Sequence, residues 1–454
     1  VTIEHLLQKF QWSGIHLGLD RIRHLLAELG NPHERVPTIH VAGSNGKGSV
    51  CAYLSAVLTE AGYRTGRYTS PHLVSWCERI CIDEQPVPPE ELERVLNQVI
   101  DAIQPNAPSP TQFEVITAAA WLYFAQQKVD IAVVEVGLGG RLDATNVCDR
   151  PLASIIVSIS REHWQRLGPT LADIAGEKAG ILKPASPAVI GQLPPEARAA
   201  VDRRIAEVGC SVVYPEPAIW VDSEDWTGDS NQSSLLPNLP NLPPFPPCRW
   251  ASSQGISYPL SLQGDIQLHN SALAIATLQL LRQQGWQIDG DQIARGMAKT
   301  RWAGRLQWFN WEGHKILLDG AHNPGGAAVL RQFIDPPPPS PSPLSSPSSP
   351  PPSTHWVIGM MSTKDHADVF KELLRPGDRL YLVPVPDAGT ADPEALAVLA
   401  WDVCPQLGSC QTFPDVWAAL KEATQPAPTA PAPTLTVLCG SLYLLGHFFS
   451  QQKP

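Results

Sequence analysis

The 454-residue chain has no uninterrupted apolar run long enough to cross a bilayer, although 43% of its residues are hydrophobic. No membrane association is therefore expected. The first residues, VTIEHLLQKFQ, mix charged and apolar side chains without a secretory h-region, which predicts a cytoplasmic protein. Positive charge is in deficit, with 33 Lys and Arg against 44 Asp and Glu and a formal net charge of −11. That balance argues against a dedicated nucleic-acid binder, so any anionic ligand must be attracted locally. The nine cysteines form no CxxC pair and no cysteine–histidine cluster at zinc-ligand spacing; they read as small buried hydrophobes. The length suffices for two domains with full cores.

What is present centres on Thr38 to Gly62. Thr38 to Ala42 is apolar and β-branched enough for a buried strand, while Val50, Tyr53, Leu54, Val57, Leu58 and Ala61 share one face of an amphipathic helix. Between them runs Gly43, Ser44, Asn45, Gly46, Lys47, Gly48, Ser49. Glycines let backbone N–H groups converge on an anion, the helix N-terminus adds favourable partial charge, and a lysine reaches in. The bland alternative is a glycine-rich turn with a surface lysine. The usual phosphate-loop spacing would want Gly at Val41 and Ser or Thr at Gly48, so Ser49 is displaced by one residue.

Along the chain, apolar spacing predicts two helices within Leu6 to Gly30, a helix opened by Pro88 and Pro89, and another from Thr111 through Phe124. Asp130 to Val136, Ala153 to Ile159 and Pro187 to Gly191 read as buried parallel strands. The alternation implies an α/β sheet wound on both faces. Residues 215–247 break the pattern and read as a long surface excursion. Helices resume over His269 to Gln284 and Asp291 to Met297. A hairpin turns at Glu312-Gly313, and alternating elements then form a second, smaller Rossmann-like α/β domain, with the boundary placed at 298/299. Its proline-rich inserts, 336–353 and 425–433, read as loops or spacers rather than ligands for aromatic-lined domains.

Several strand ends carry chemistry. Glu135 ends strand DIAVVEV ahead of GLGGRLDATN, well placed to hold Mg²⁺ on a triphosphate. Ser70 follows another short strand, where a hydroxyl could face the same metal. His163 follows Ala153 to Ile159; a lone histidine is more often structural. Lys178 could simply pair with Glu177. Thr111, Gln112, Phe113 and Glu114 satisfy the capping-box pattern, which explains Glu114 structurally. Arg305 and Asp319 from one domain, facing the phosphate loop of the other, would place ATP in an interdomain cleft.

GSNGKGS, TSPHL, VEVGLGGRLDATN, the stretch from His163 to EKAGILKP, DGAHNP and GSLYLLG occur together and in order. The set resembles the folylpolyglutamate synthases and bifunctional dihydrofolate synthases, relatives of the Mur ligases, and spans residues 43 to 446. The resemblance implies an ATP-dependent ligase of folate biosynthesis that joins L-glutamate to the carboxylate of dihydropteroate, a reduced folate, or both. It implies that Asn45, Gly46, Lys47, Gly48, Ser49, Asn270, Arg305, Asp319 and His322 contact ATP, and that Ser70, Glu135 and His163 coordinate Mg²⁺. Lys47, Lys178 and His163 would be the catalytic set, with Lys178 matching a lysine carried as a carbamate. The TQFE segment (Thr111, Gln112, Phe113, Glu114) and Leu142, Asp143 and Ala144 fall where the pterin substrate binds. A monomer is expected. Glu162 departs from the aspartate that often precedes the metal histidine. Two alternatives stand beside this reading. A Mur-type ligase is disfavoured by the lack of a separate UDP-binding domain before the loop. A non-catalytic nucleotide-binding or scaffold protein is disfavoured by the joint presence of Lys47, Glu135, His163 and Lys178.

Overall fold

The computed structural model describes residues 2–10, 17–221, 249–335, 353–386, 389–425 and 435–452. Of the expected loop and spacer segments, 222–247, 336–352 and 426–433 lie outside the described residues. The chain divides into two compact units. The first holds the described residues before Leu262 together with Ile266–Trp302; the second holds Leu262–Asp265 and Ala303–Pro454.

The first unit opens with α1 (Ile3–Gln8) and α2 (Asp20–Glu28), followed by β1 (Thr38–Ala42), α3 (Lys47–Glu60) and β2 (Thr65–Tyr68). Next come β3 (Ile80–Ile82), β4 (Gln85–Pro86), α4 (Pro89–Asp101), α5 (Gln112–Gln126) and β5 (Ile131–Glu135). The chain continues through β6 (Ala153–Ile156), α6 (Trp164–Leu167), α7 (Leu171–Ala179), β7 (Ala188–Ile190), α8 (Pro195–Val208) and β8 (Val212–Val213). These strands form one eight-stranded sheet in the order β4-β3-β2-β5-β1-β6-β7-β8. Pairing is parallel from β2 to β8 and antiparallel where β3 and β4 extend the edge. Since β1 leads outward to β2 on one side and has β6 on the other, the strand order reverses at β1. In α/β sheets, ligands sit beyond the carboxyl ends of the strands at such a reversal.

β1 is buried at every residue, as its apolar run predicts. The amphipathic reading of α3 is corrected: Ser49 through Leu58 are all buried. The helix packs on β1, β2 and β5 and also against α9 (Ile266–Gln283) and α10 (Gly290–Lys299), so no solvent face survives. A Cβ on Gly296 of α10 would lie 2.5 Å from Val57 Cα, so glycine permits the close approach of the two helices. A second correction concerns only residues 219–221 of the stretch read as an excursion, which form a strand and join two unforeseen strands beyond that stretch. β9 (Ile219–Val221), β10 (Arg249–Ser253) and β11 (Ile256–Leu260) form a separate antiparallel sheet. Short strands among prolines and serines gave no period-2 signal strong enough to read.

The second unit contains β12 (Gln307–Trp311), β13 (His314–Leu318), α11 (Pro324–Ile334), β14 (Thr354–Ile358), α12 (His366–Leu373) and β15 (Arg379–Leu382). It closes with α13 (Pro393–Val403), β16 (Ser409–Thr412), α14 (Val416–Ala423), β17 (Leu435–Cys439) and α15 (Leu442–Ser450). Its sheet runs β12-β13-β17-β14-β15-β16, parallel except for the β12–β13 hairpin. That hairpin turns on Glu312 (φ 49°) and Gly313 (φ 84°), the two left-handed residues a tight two-residue turn needs. The edge strand β16 and the short helix α14 were not foreseen, because SCQT carries no apolar alternation and eight residues give little helical period.

Helix packing predicts opposite outcomes at two glycines. Gly296→Ala drives a methyl into the α3 backbone and should lower stability by about 1–3 kcal/mol. Gly176→Ala in α7 meets no atom within 4 Å and should raise stability by about 0.5–1 kcal/mol. Urea unfolding midpoints of the two variants check both signs.

Candidate functional site

The loop between β1 and α3 is held from several directions. Ser44 N–H donates to the Ser158 carbonyl at 2.8 Å, and the Ser44 hydroxyl both accepts from Ser160 N–H (2.9 Å) and donates to the Ser160 carbonyl (3.1 Å). Asn45 exchanges two bonds with the Ser158 hydroxyl, at 3.0 and 2.9 Å. The loop is thus laced to the segment after β6. Gly46 has φ 84°, and a Cβ there would lie 2.5 Å from Asn270 Oδ1 and 2.9 Å from Val157 Cγ1. Only glycine fits both the backbone and the space. Gln267 accepts from the Asn270 amide at 3.1 Å and so leaves Oδ1 facing the loop. The first-turn N–H groups of α3 have no intrahelical acceptor and present a positive dipole end.

Two lysines converge on one loop carbonyl. Lys47 Nζ donates to the carbonyl oxygens of Gly43 (2.8 Å) and Ser44 (3.1 Å), and Lys178 Nζ donates to the same Gly43 oxygen (2.9 Å). Lys178, 2% exposed, pairs with Glu162 at 2.8 Å. The expected partner, Glu177, is instead engaged by Arg141 at 2.7 Å, since it lies on another face of α7. Burial alone would push the Glu162 carboxyl up, but Lys178 and Lys47 outweigh it and hold it well below the usual carboxylate range. For Lys178 burial dominates and pulls its pKa down against the pull of Glu162.

Glu135 ends β5, next to β1, and is 5% exposed; Ser70, after β2, donates its N–H to Glu135 Oε2 at 3.4 Å. His163 lies exposed beyond β6 in a left-handed conformation (φ 48°), uncommon for a residue with a side chain. Among the described residues no three His, Cys, Asp or Glu side chains are grouped to hold a metal. The Ser70 hydroxyl and the Glu135 carboxylate are nevertheless hard oxygen donors of the kind Mg²⁺ takes, and the His163 imidazole is a nitrogen donor.

The glycine-rich loop after β5 is shaped from within. Asp143 accepts from Leu138 N–H (2.8 Å) and from the N–H and hydroxyl of Thr145 (3.0 and 2.6 Å), and Thr145 contacts His40 Nε2 at 2.8 Å. Burial raises the Asp143 pKa and drops that of His40 to about 3. Leu142 is half-buried and Ala144 buried. Thr111 and Glu114 form the capping box of α5, and Glu114 also pairs with Arg21 at 3.1 Å. Gln112 donates to the Leu7 carbonyl at 3.3 Å, while the Phe113 ring covers Gly137, where a Cβ would lie 2.3 Å from it.

In the second unit Asp319 follows β13 and accepts from Leu306 N–H and Ala321 N–H, both at 2.8 Å. Burial raises its pKa against the opposing charge of Arg305. His322 Nδ1 lies 2.7 Å from the Gly320 carbonyl. Two features escaped the sequence reading: the serines of VSIS after β6, and Glu162 as the partner of Lys178. The alternation of hydroxyls at a strand end was the only available signal.

Residues 41–278 match the Mur ligase middle domain, and residues 306–451 match the C-terminal domain of dihydrofolate synthetase. The folylpolyglutamate synthase of Lacticaseibacillus casei is 33% identical over 407 residues, 87% of each chain. A Mycobacterium tuberculosis folylpolyglutamate synthase solved with ADP and AMPPCP superposes with TM-score 0.82 at 29% identity, covering 100% of this chain and 98% of that one. A bifunctional folylpolyglutamate synthase/dihydrofolate synthase from Yersinia pestis, complexed with AMPPNP and Mn ion, gives 0.77 at 27% identity, covering 98% and 95%. With fold, relatives and both domain matches in agreement, the chain belongs to the folylpolyglutamate synthase/dihydrofolate synthase family of ATP-dependent ligases.

Proposed function

We propose that the chain joins L-glutamate to the free carboxylate of dihydropteroate, a reduced folate, or both, through an acyl phosphate. The observation that supports this most is the gathering of Lys47, Lys178 and Glu162 around the Gly43 carbonyl, beside the N-terminus of α3 at the sheet's switch point.

Gly46, Lys47, Gly48 and Ser49 receive the ATP phosphates. Lys47 then exchanges two neutral carbonyls for anionic oxygens, a stronger set of partners. The acceptor carboxylate attacks the γ-phosphorus in line, the bond to the β–γ bridging oxygen breaks and ADP leaves, and Lys47 stabilises charge on the transferring group. The glutamate amine captures the acyl phosphate, giving an amide and phosphate. Ser70, Glu135 and His163 would hold a divalent cation, which when bound neutralises phosphate charge. Burial lowers the Lys178 pKa while Glu162 opposes the shift; unmodified, Lys178 is the ammonium paired with Glu162, and a carbamate there would replace that pair. Phe113, Leu142 and Ala144 are assigned to the pterin. Asp143, Thr111 and Glu114 serve that pocket by shaping its backbone, since their polar atoms are engaged within the chain.

Three outcomes are expected. Lys47→Ala should lower glutamate-dependent ADP release by about 100-fold or more with an unchanged unfolding midpoint; near-normal turnover would remove Lys47 from the phosphates. Glu135→Gln should shift the Mg²⁺ titration of activity to higher concentration, and an unmoved titration would remove Glu135 from the metal. Incubation with ATP, labelled glutamate and either dihydropteroate or a reduced folate, followed by separation of products by chain length, identifies the acceptor; no labelled product from either would refute the proposal.

A further inference from the structure

Position 48, where the usual phosphate loop carries Ser or Thr, is glycine, and the space a side chain would need is filled. A Cβ on Gly48 would lie 2.4 Å from Cζ2, 2.7 Å from Cε2 and 2.8 Å from Nε1 of Trp302. Trp302 is the last residue of the first unit. The segment leading to it is anchored on α3's neighbour α10: the Ser261 hydroxyl donates to the carbonyls of Met297 and Thr300, both at 2.9 Å. Behind the indole stands Arg67 of β2, its guanidinium carbon 5.2 Å from the ring centroid.

Arg67 is 7% exposed and tightly held. It pairs with Glu84 and donates to Ser55 Oγ (3.4 Å) and Cys81 Sγ (3.3 Å). The Ser55 hydroxyl, from the middle of α3, donates to Glu84 at 2.5 Å. Glu84 and Asp83 both take left-handed conformations, φ 64° and 49°, at the tip that brings the carboxylate in. The buried Arg67 Nε has no hydrogen-bond partner among the described residues. A confined cation therefore backs the indole, and the indole rests on the first turn of α3.

We propose that Trp302 is a positioning residue for the nucleotide site: seated on Gly48 and backed by Arg67, its indole fixes the first turn of α3 and makes glycine obligatory at position 48. The inference rests on the assignment of residues 46–49 to the phosphates and adds a residue far from that loop in sequence. It also accounts for the hydroxyl residue of the motif standing at Ser49. Pre-aligned backbone donors lower the ordering cost of binding, so loosening them weakens nucleotide affinity, which gives the packing its functional weight.

The test uses the full-length protein and the variants Trp302→Ala, Gly48→Ser and their combination. ATP KM and kcat come from glutamate-dependent ADP release, and ADP affinity from calorimetry. Each single variant should weaken ADP binding and raise the ATP KM by about tenfold or more, while the KM of the folate or pteroate acceptor stays within about twofold. The double variant should bind ADP more tightly than Gly48→Ser alone, because removing the indole makes room for the new side chain. A loss confined to kcat with unchanged ATP KM, or single effects that simply multiply, would overturn the proposal. If Trp302→Ala does not fold, Trp302→Phe paired with Gly48→Ala carries the same comparison. Lys47→Ala, titrated with ADP and with a non-hydrolysable ATP analogue, separates the two readings: retained affinity for both refutes the phosphate assignment, whereas lost affinity without rescue at 48/302 refutes only the positioning role.

Discussion

A single carbonyl oxygen, that of Gly43, accepts hydrogen bonds from two lysine ammonium groups. Like charges drawn to one point repel, and the arrangement persists because Glu162 stays ionised beside them. The site is thus charged in advance for a polyanion. A chain with net charge −11 holds its cations where the strand order reverses, so attraction is local rather than global.

Rigidity around that point comes from long-range polar contacts and from glycines with no room for a side chain. Ser158 and Ser160 grip the loop from one strand end, Asn270 faces Gly46 and Trp302 faces Gly48. Inside the neighbouring loop, Asp143 gathers its own backbone and is tied through Thr145 to His40 on β1. The loops that follow β1 and β5 are therefore both referred to the central strand.

Much of this was legible in the sequence where the signal was local. Thr38–Ala42, the capping box at Thr111 and Glu114, the Glu312-Gly313 turn and the helices opened by proline all depend on residues within a few positions of one another. What was not legible depends on partners far away. Ser44 meets Ser160 across 116 positions, and Lys178 finds Glu162 rather than its neighbour Glu177 because the intervening turn, not helical adjacency, brings them together. The total burial of α3 was hidden for the same reason, since its second covering layer, α9 and α10, arrives more than two hundred residues later. The strands β9 to β11 were missed for want of periodicity.

The segment from Ser158 to His163 fastens the loop between β1 and α3 with its first residues and delivers Glu162 and His163 with its last. Its spacer length is consequently not a free variable. One inserted residue would leave the serines in register and swing the acid away from Lys178, or keep the acid and unfasten the loop. Chimeras grafted between relatives of this chain should therefore exchange this stretch only as a whole, together with the serine and asparagine it grips.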